Sequence, residues 1–256
     1  MILVIDIGNT STVLGIFESE ELRYSWRVAT HKHQSTDECA VLCRDLFRSE
    51  GVSLQQIKGI AICSVVPSLD RVFGDLAEQH FSVTPVFVKP ETQDLMPIRY
   101  HPPSDVGADR IAGAVAAFKM LGGPTIVIDF GTATTFDAIS KKGVYLGGVI
   151  VPGIGISADA LFRHASKLPH IKIKKSEQVI GDSTATSMQS GLYFGYVSLV
   201  EGILARMKEE LGGAQVVATG GLAHLVSGDA KAIDCVEEDL IIQGINLIYR
   251  DLNIQN

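Results

Sequence analysis

One short phrase occurs twice in this chain. Residues 3–9 read Leu-Val-Ile-Asp-Ile-Gly-Asn, and residues 126–132 read Ile-Val-Ile-Asp-Phe-Gly-Thr. Each copy runs an apolar strand into an Asp, one apolar residue, a Gly and then small hydroxyl or amide side chains. Beyond the Gly, Thr12 aligns with Thr135 and Ile16 with Ile139, so the returning strands are expected in register as well. A recurring strand, tight turn and returning strand implies two similar half-domains. Glycine lets the backbone approach a bound group closely, and an Asp at a strand end can hold a cation. Two such turns face to face would clamp a polyphosphate.

At 256 residues the chain fits one large domain or two small ones. Apolar residues make up 46%, enough for a sizeable core and too many for a disordered chain. A net charge of −7 and a pI near 5.5 argue against a nucleic-acid partner, because no basic stripe is present to neutralise phosphates. The densest basic run, Lys172, Lys174 and Lys175, alternates with Ile171 and Ile173 and reads as a solvated strand edge. No stretch approaches the roughly 20 apolar residues of a membrane span, so no membrane partner is expected. The N-terminus opens on the motif-bearing strand, which argues against a cleaved signal. Cysteines at 39, 43, 63 and 235 form no C-x-x-C, and a reduced, cytoplasmic protein is the expectation. Cys39 and Cys43 could share a helix face, but no His or Cys pair follows at zinc-site spacing.

The periodicity predicts strands at 2–7, 13–18 and 22–28, a helix capped by Thr36 to about 49, a strand at 59–65, a helix at 68–80 and a short strand at 86–88. This is a βββαβαβ unit, a mixed sheet covered by helices. Residues 89–103 are Pro-rich and polar and read as a connection between halves, so the expected division is 1–103 and 104–256. A helix at 104–120 is followed by Gly122-Gly123-Pro124 and the second copy. Its strands are expected at 125–129, 134–140 and 143–151, with a helix at 156–166 and a polar loop to 182. A long helix at 185–211, a strand at 215–219, a short helix at 221–226 and a last helix at 238–252 complete the chain.

Four segments carry candidate chemistry. The first turn, Asp6-Ile7-Gly8-Asn9-Thr10-Ser11, offers backbone N–H groups and hydroxyls to a phosphate, with an acid beside them for Mg²⁺. Alone it equally describes a hairpin turn; its repetition favours function. The second turn is Asp129-Phe130-Gly131-Thr132-Ala133-Thr134-Thr135, too rich in threonine for a core strand. Asp137 shares a strand face with Thr135 and reads as a hydrogen-bond partner rather than a reacting group. Gly107-Ala108-Asp109-Arg110 reads either as a dipole-favoured Asp in a surface ion pair or as a carboxylate base beside an anion-gripping Arg. Thr219-Gly220-Gly221 ends a strand and could pass flat under a purine. It is weak alone, as is Gly147-Gly148 before Pro152-Gly153. There is no G-x-x-x-x-G-K-S/T, no G-x-G-x-x-G after a strand and no G-x-S-x-G. The seven histidines form no zinc pattern.

Together these segments resemble the actin, sugar kinase and heat-shock ATPase superfamily, and within it the whole pattern is similar to the type III pantothenate kinase family. Tyr100, Thr184 and Gln189-Ser190-Gly191 add to the match, which spans nearly the whole chain in the family's order. The resemblance implies an α/β fold of duplicated actin-like (ribonuclease H-like) βββαβαβ domains with an ATP cleft between them. It also implies ATP-dependent phosphorylation of the primary hydroxyl of pantothenate, the first step toward coenzyme A. Asp109 would be the catalytic base. ATP would meet Asp6, Ile7, Gly8, Asn9 and Thr10, then Ser11, Thr12 and Val13, and also Thr132, Thr219, Gly220 and Gly221. Tyr100, Gly107, Ala108, Asp109 and Arg110 would hold pantothenate, joined by Thr184 from a second subunit. Asp6 would sit near ATP-bound Mg²⁺, and Asp129 near a monovalent cation, K⁺ or NH₄⁺. A homodimer is implied, with the 185–211 helix as its surface through Leu192, Phe194, Tyr196, Leu199 and Ile203. Rival readings are another small-molecule kinase of the superfamily, whose sugar kinases often carry a Cys-rich zinc motif absent here, and a non-catalytic accessory factor for gene expression.

Overall fold

A computed structural model describes residues 1–254. The first sheet contains β1 (Ile2–Ile7), β2 (Ser11–Glu18), β3 (Glu21–Ala29), β4 (Gly59–Ser64) and β5 (Val86–Phe87), in the order β3-β2-β1-β4-β5. Strands β1 to β3 are antiparallel neighbours, and β4 and β5 join in parallel. Parallel addition needs crossovers, and α1 (Thr36–Ser49) and α2 (Pro67–Phe81) supply them. Helix α1 begins at a reciprocal cap of Ser35 and Glu38, one residue before the expected Thr36 cap; Pro67 stands in the first turn of α2, where a missing N–H costs nothing. Leu3, Ile5 and Ile7 of β1, with Ile60 and Ile62 of β4, face Cys43, Phe47 and Phe73 of these helices.

The opposite face of this sheet carries small residues. Gly15 and Gly59 lie on it, and a Cβ there would stand 2.9 Å from Ile242 Cδ1 and 2.0 Å from Tyr249 Oη respectively. Both neighbours belong to the last helix of the chain. Helix α3 (Ala108–Leu121) meets that helix where a Cβ on Gly244 would be 1.8 Å from Ala112 O.

The second sheet contains β6 (Thr125–Phe130), β7 (Ala133–Ile139), β8 (Tyr145–Pro152), β9 (Gln215–Thr219) and β10 (Cys235–Val236). Its order, β10-β9-β6-β7-β8, is that of the first sheet written from the other end, so the duplication extends to topology. Helices α4 (Ile154–His164), α5 (Thr184–Leu211) and α6 (Ala223–Ser227) belong with it, and α7 (Leu240–Ile254) ends the chain. Ile126, Ile128 and Val216 pack against Tyr193, Val197 and Val200 of α5.

Several expectations change. The compact units are 1–119 with 239–256, and 120–238, so α3 and α7 both belong with the first sheet; the expected division fell at residue 103. Helix α3 starts at Ala108 rather than 104, because Pro103–Asp105 form a separate 3₁₀ turn. The lysine run is not a strand edge. It lies in irregular chain, although Lys172 and Lys174 do alternate with half-buried Ile171 and Ile173. Strand β10 has no counterpart in the sequence reading.

Candidate active site

In the first unit, β1 delivers Asp6 to the sheet's end and β2 carries the chain back. Ile7 pairs with Thr12, leaving residues 8–11 as the turn. Gly8 N donates to Ser11 O at 3.0 Å, and a Cβ on Gly8 would come within 2.9 Å of that carbonyl. The end of β3 braces the turn: Thr30 Oγ1 donates to Gly8 O at 2.7 Å, Thr30 N donates to Thr10 O at 3.0 Å, and the hydroxyls of Thr12 and Thr30 meet at 2.9 Å. Asn9 and Thr10 are exposed at the tip, and Lys32 Nζ donates to Asn9 Oδ1 at 3.4 Å. The Ile7 and Val13 side chains are buried, so only their backbone could meet a ligand. Thr30 and Lys32 went unnoticed in the sequence, since both reach the turn from a strand away.

Asp109 comes to the same region from α3. Asp6 of β1 pairs with Cys63 of β4, which places both side chains on the sheet face that α7 covers. Burial pushes the Cys63 thiol well up, and the surrounding carboxylates of Asp6, Asp109 and Asp70 push the same way. Acids from β1, α2 and α3 therefore all bear electrostatically on one buried thiol. Asp109 Oδ1 accepts from Arg110 N at 2.8 Å, and a Cβ on Gly107 would stand 2.3 Å from that oxygen. A cleft of about 300 Å³ opens beside Gly107 and Ala108, lined also by Ser64, Asp70, Phe87 and Lys89. Asp70 Oδ1 is buried without a hydrogen-bond partner among the described residues. Tyr100 is half-buried in the connection between β5 and α3.

In the second unit Phe130 pairs with Thr134, leaving residues 131–133 as the turn, one residue shorter than the first. The alignment of Thr12 with Thr135 is thereby corrected. Thr134 is the counterpart of Thr12, and both are nearly inaccessible, at 1% and 3% exposure. Tyr196 donates to Thr134 Oγ1 and, at 3.2 Å, to Pro152 O. Tyr196 thus belongs to the core of its unit and is withdrawn from the expected dimer surface; Leu192, Phe194, Leu199 and Ile203 are half-buried against the same core. Asp137, 1% exposed, accepts from Thr135 Oγ1 at 3.1 Å and from Tyr145 Oη at 2.6 Å, the partner role expected of it.

Thr219 pairs with Asp129, donates its hydroxyl to Glu238 O at 3.3 Å, and passes the chain to Gly220. Gly220 has φ +92°, and a Cβ there would lie 2.4 Å from Asp129 Oδ1 and 2.7 Å from Phe130 N. Gly153 abuts the second turn too, where a Cβ would be 2.4 Å from Thr132 O. The Thr-Gly-Gly and Pro-Gly segments, weak in isolation, are thus packed against the second Asp-Gly turn. Gly221 and Thr184 are exposed, Thr184 in the first turn of α5 behind a reciprocal cap of Ser183 and Thr186.

A duplicated βββαβαβ sheet with an Asp-x-Gly turn after the first strand of each copy defines the actin-like class of kinases and ATPases. A ROK hexokinase from Thermus thermophilus shares the fold, with TM-score 0.52 and 14% identity over 98% of this chain and 99% of that one. Sequence narrows the class. The model of the type III pantothenate kinase family matches residues 2–206. A type III pantothenate kinase from Anaeromyxobacter sp. (strain Fw109-5) is 50% identical over 97% of this chain and 98% of its own length. One from Koribacter versatilis (strain Ellin345) is 49% identical over 97% and 95%. The chain belongs to the type III pantothenate kinase family.

Proposed function

We propose that this protein transfers the γ-phosphoryl group of ATP to the primary hydroxyl of pantothenate, giving 4′-phosphopantothenate and ADP at the entry to coenzyme A biosynthesis. Family membership supplies the reaction, and one observation carries the assignment of residues. Asp6 pairs with Cys63 across β1 and β4, and the carboxylates of Asp6 and Asp109, far apart in sequence, both push that buried thiol up. Asp109 takes the hydroxyl proton as the oxygen attacks phosphorus; the new O–P bond forms as the bond to the β,γ-bridging oxygen breaks. Phosphoryl transfer demands positioning and charge neutralisation more than covalent chemistry. The first turn suits the phosphates, with a glycine where a Cβ would clash and exposed Asn9 and Thr10. Mg²⁺ prefers one or two carboxylates plus phosphate oxygens, and Asp6 fits that need.

The remaining roles follow the resemblance. Ile7, Ser11, Thr12 and Val13 extend the ATP contact of the first turn, while Thr132, Thr219, Gly220 and Gly221 form that of the second unit. Asp129 is assigned to a monovalent cation, K⁺ or NH₄⁺. Tyr100, Gly107, Ala108 and Arg110 are assigned to pantothenate, and the cleft beside Gly107 supports that assignment. Thr184 reaches the substrate of a second copy in a homodimer. Four free cysteines and a reaction that consumes ATP support a cytoplasmic location. The deciding experiment is ATP consumption over pantothenate, pantetheine and several sugars, in K⁺, NH₄⁺ and Na⁺. Turnover with pantothenate alone, strong in K⁺ or NH₄⁺ and weak in Na⁺, is expected. A sugar turned over in preference to pantothenate would overturn the substrate, and equal rates in all three salts would overturn the cation.

A further inference from the structure

Residues 165–183 join α4 to α5 without regular secondary structure. So long a connection inside a compact unit is uncommon, and its backbone groups need partners. Side chains of α5 supply them. The Gln189 amide donates to Lys172 O at 3.2 Å, and the Ser190 hydroxyl donates to Val179 O. Tyr193 Oη donates to Asp229 Oδ2 at 2.6 Å, and the other oxygen of that carboxylate accepts from Lys175 Nζ at 2.7 Å. Position 193 stands three residues from 190 and four from 189, so it neighbours both on the helix surface. Burial and the Asp229 carboxylate push Tyr193 up to about 12, while Lys175 and Tyr193 hold Asp229 down. Tyr193 therefore stays a donor and Asp229 an acceptor at neutral pH.

Ser190 carries most of the argument. A helical serine commonly bonds back to the carbonyl four residues earlier. Ser190 is 3% exposed, and its hydroxyl goes instead to a carbonyl of the strap. Just beyond that carbonyl, Gly181 lies so close to α5 that a Cβ would be 2.3 Å from Ser187 N. Asp182 Oδ1 then accepts from Thr186 Oγ1 at 3.0 Å, and Ser183 caps the helix. Every residue from 179 to 183 except Ile180 is thus tied to α5, and the next residue is the exposed Thr184.

We propose that Gln189 and Ser190, with the Tyr193–Asp229–Lys175 chain, are positioning residues that lash the 165–183 strap to α5 and so fix where Thr184 presents its hydroxyl to pantothenate. The proposal rests on the reading of Thr184 given above. It gives a physical task to Gln189-Ser190-Gly191, which the sequence marks without explaining.

The test uses the full chain with Ser190→Ala and Gln189→Ala, each alone and combined with Thr184→Ala. Each single variant should raise KM for pantothenate about fivefold, the net worth of one hydrogen bond, and leave KM for ATP unmoved. In the Thr184→Ala background neither should add a further rise. Hydrogen exchange of amides 179–184 should quicken in Ser190→Ala while the rest of α5 keeps its protection. Additive effects in the double variants, or an equal rise in KM for ATP, overturn the proposal. Should Ser190→Ala misfold, half-buried Gln189→Ala carries the same measurements. If Thr184→Ala alone leaves KM for pantothenate unchanged, the substrate contact of Thr184 is what fails. Unchanged exchange at 179–184 shows instead that the lashing fails.

Discussion

In the first unit Ile7 pairs with Thr12 across residues 8–11; in the second, Phe130 pairs with Thr134 across the shorter 131–133. The longer turn is braced from beneath by Thr12 and Thr30 and leaves Asn9 and Thr10 exposed at its tip. The shorter one is closed in by backbone, with Gly153 on one side and Gly220 against Asp129 on the other. Nearly identical strands therefore lead to different devices. One presents exposed polar side chains at its tip, and the other fixes a carboxylate among peptide groups. The helices that follow the fifth strands differ as well. Helix α3 follows Gly107 and opens with Ala108-Asp109-Arg110 beside a cleft, whereas α7 follows Asp239, which accepts from Ser25 Oγ at 2.8 Å. The duplication supplied the frame twice, and only the first copy carries the proposed base, Asp109.

The largest expected effect separates those two acids. Asp109→Asn keeps size and removes the base, and should lower kcat by about 10²- to 10⁴-fold with an unchanged circular dichroism spectrum. Asp239→Asn should stay close to wild type. A kcat for Asp109→Asn within about tenfold of wild type would take the base role away from Asp109, since general base catalysis is typically worth more than that.

The strand-turn-strand units were legible because the signal is local: an apolar run, an Asp, a glycine. The difference between the turns was not, because aligned letters do not report which residues pair across a hairpin. Thr135 aligns with Thr12, yet one residue fewer in the second turn gives that place to Thr134 and moves Thr135 to the other face. The brace of Thr30, the cation of Lys32 and the pairing of Asp6 with Cys63 depend on strand order and register. Two-residue β10 is too short to leave an apolar pattern. Helix α7 closes the second repeat in sequence but packs on the first sheet, which only the matching small residues Gly15 and Gly59 could have signalled.

Gly220→Ala tests the fixed carboxylate. The native φ of +92° and the 2.4 Å approach to Asp129 Oδ1 mean that a methyl must displace Asp129 or the turn. Strain of this kind costs about 1–3 kcal/mol, so the potassium concentration for half-maximal activity should rise on the order of tenfold. Asn9→Ala, on the exposed turn, should raise KM for ATP and leave the potassium requirement alone. If Gly220→Ala leaves that requirement unmoved, Asp129 does not hold the cation.

The two units also differ in which site each serves under the proposed dimer. Asp109 would act on its own chain's substrate, and Thr184 on the partner's. Mixing inactive Asp109→Asn chains with inactive Thr184→Arg chains then gives mixed dimers with one doubly damaged site and one intact site. With random assortment about half of the dimers are mixed, so about a quarter of all sites should work. Verified mixed dimers without activity, or a monomer by light scattering, would refute the shared site.

The smallest effect concerns Lys32, the cation at the tip of the first turn. Its ammonium lies 3.4 Å from Asn9 Oδ1 and both residues are exposed, so its attraction for a bound polyphosphate acts through water. Exposed charge pairs are worth about 0–1 kcal/mol, so Lys32→Met should raise KM for ATP only about two- to fivefold at low salt. That difference should vanish toward 1 M salt, where the screening length falls to about 3 Å from about 10 Å at 0.1 M. Loss of a structural contact would instead give a penalty that salt does not erase, and Asn9→Ala would then reproduce it. A salt-sensitive rise confined to KM for ATP makes Lys32 a steering charge, and leaves the grip on phosphate to the backbone and hydroxyls of residues 8–11.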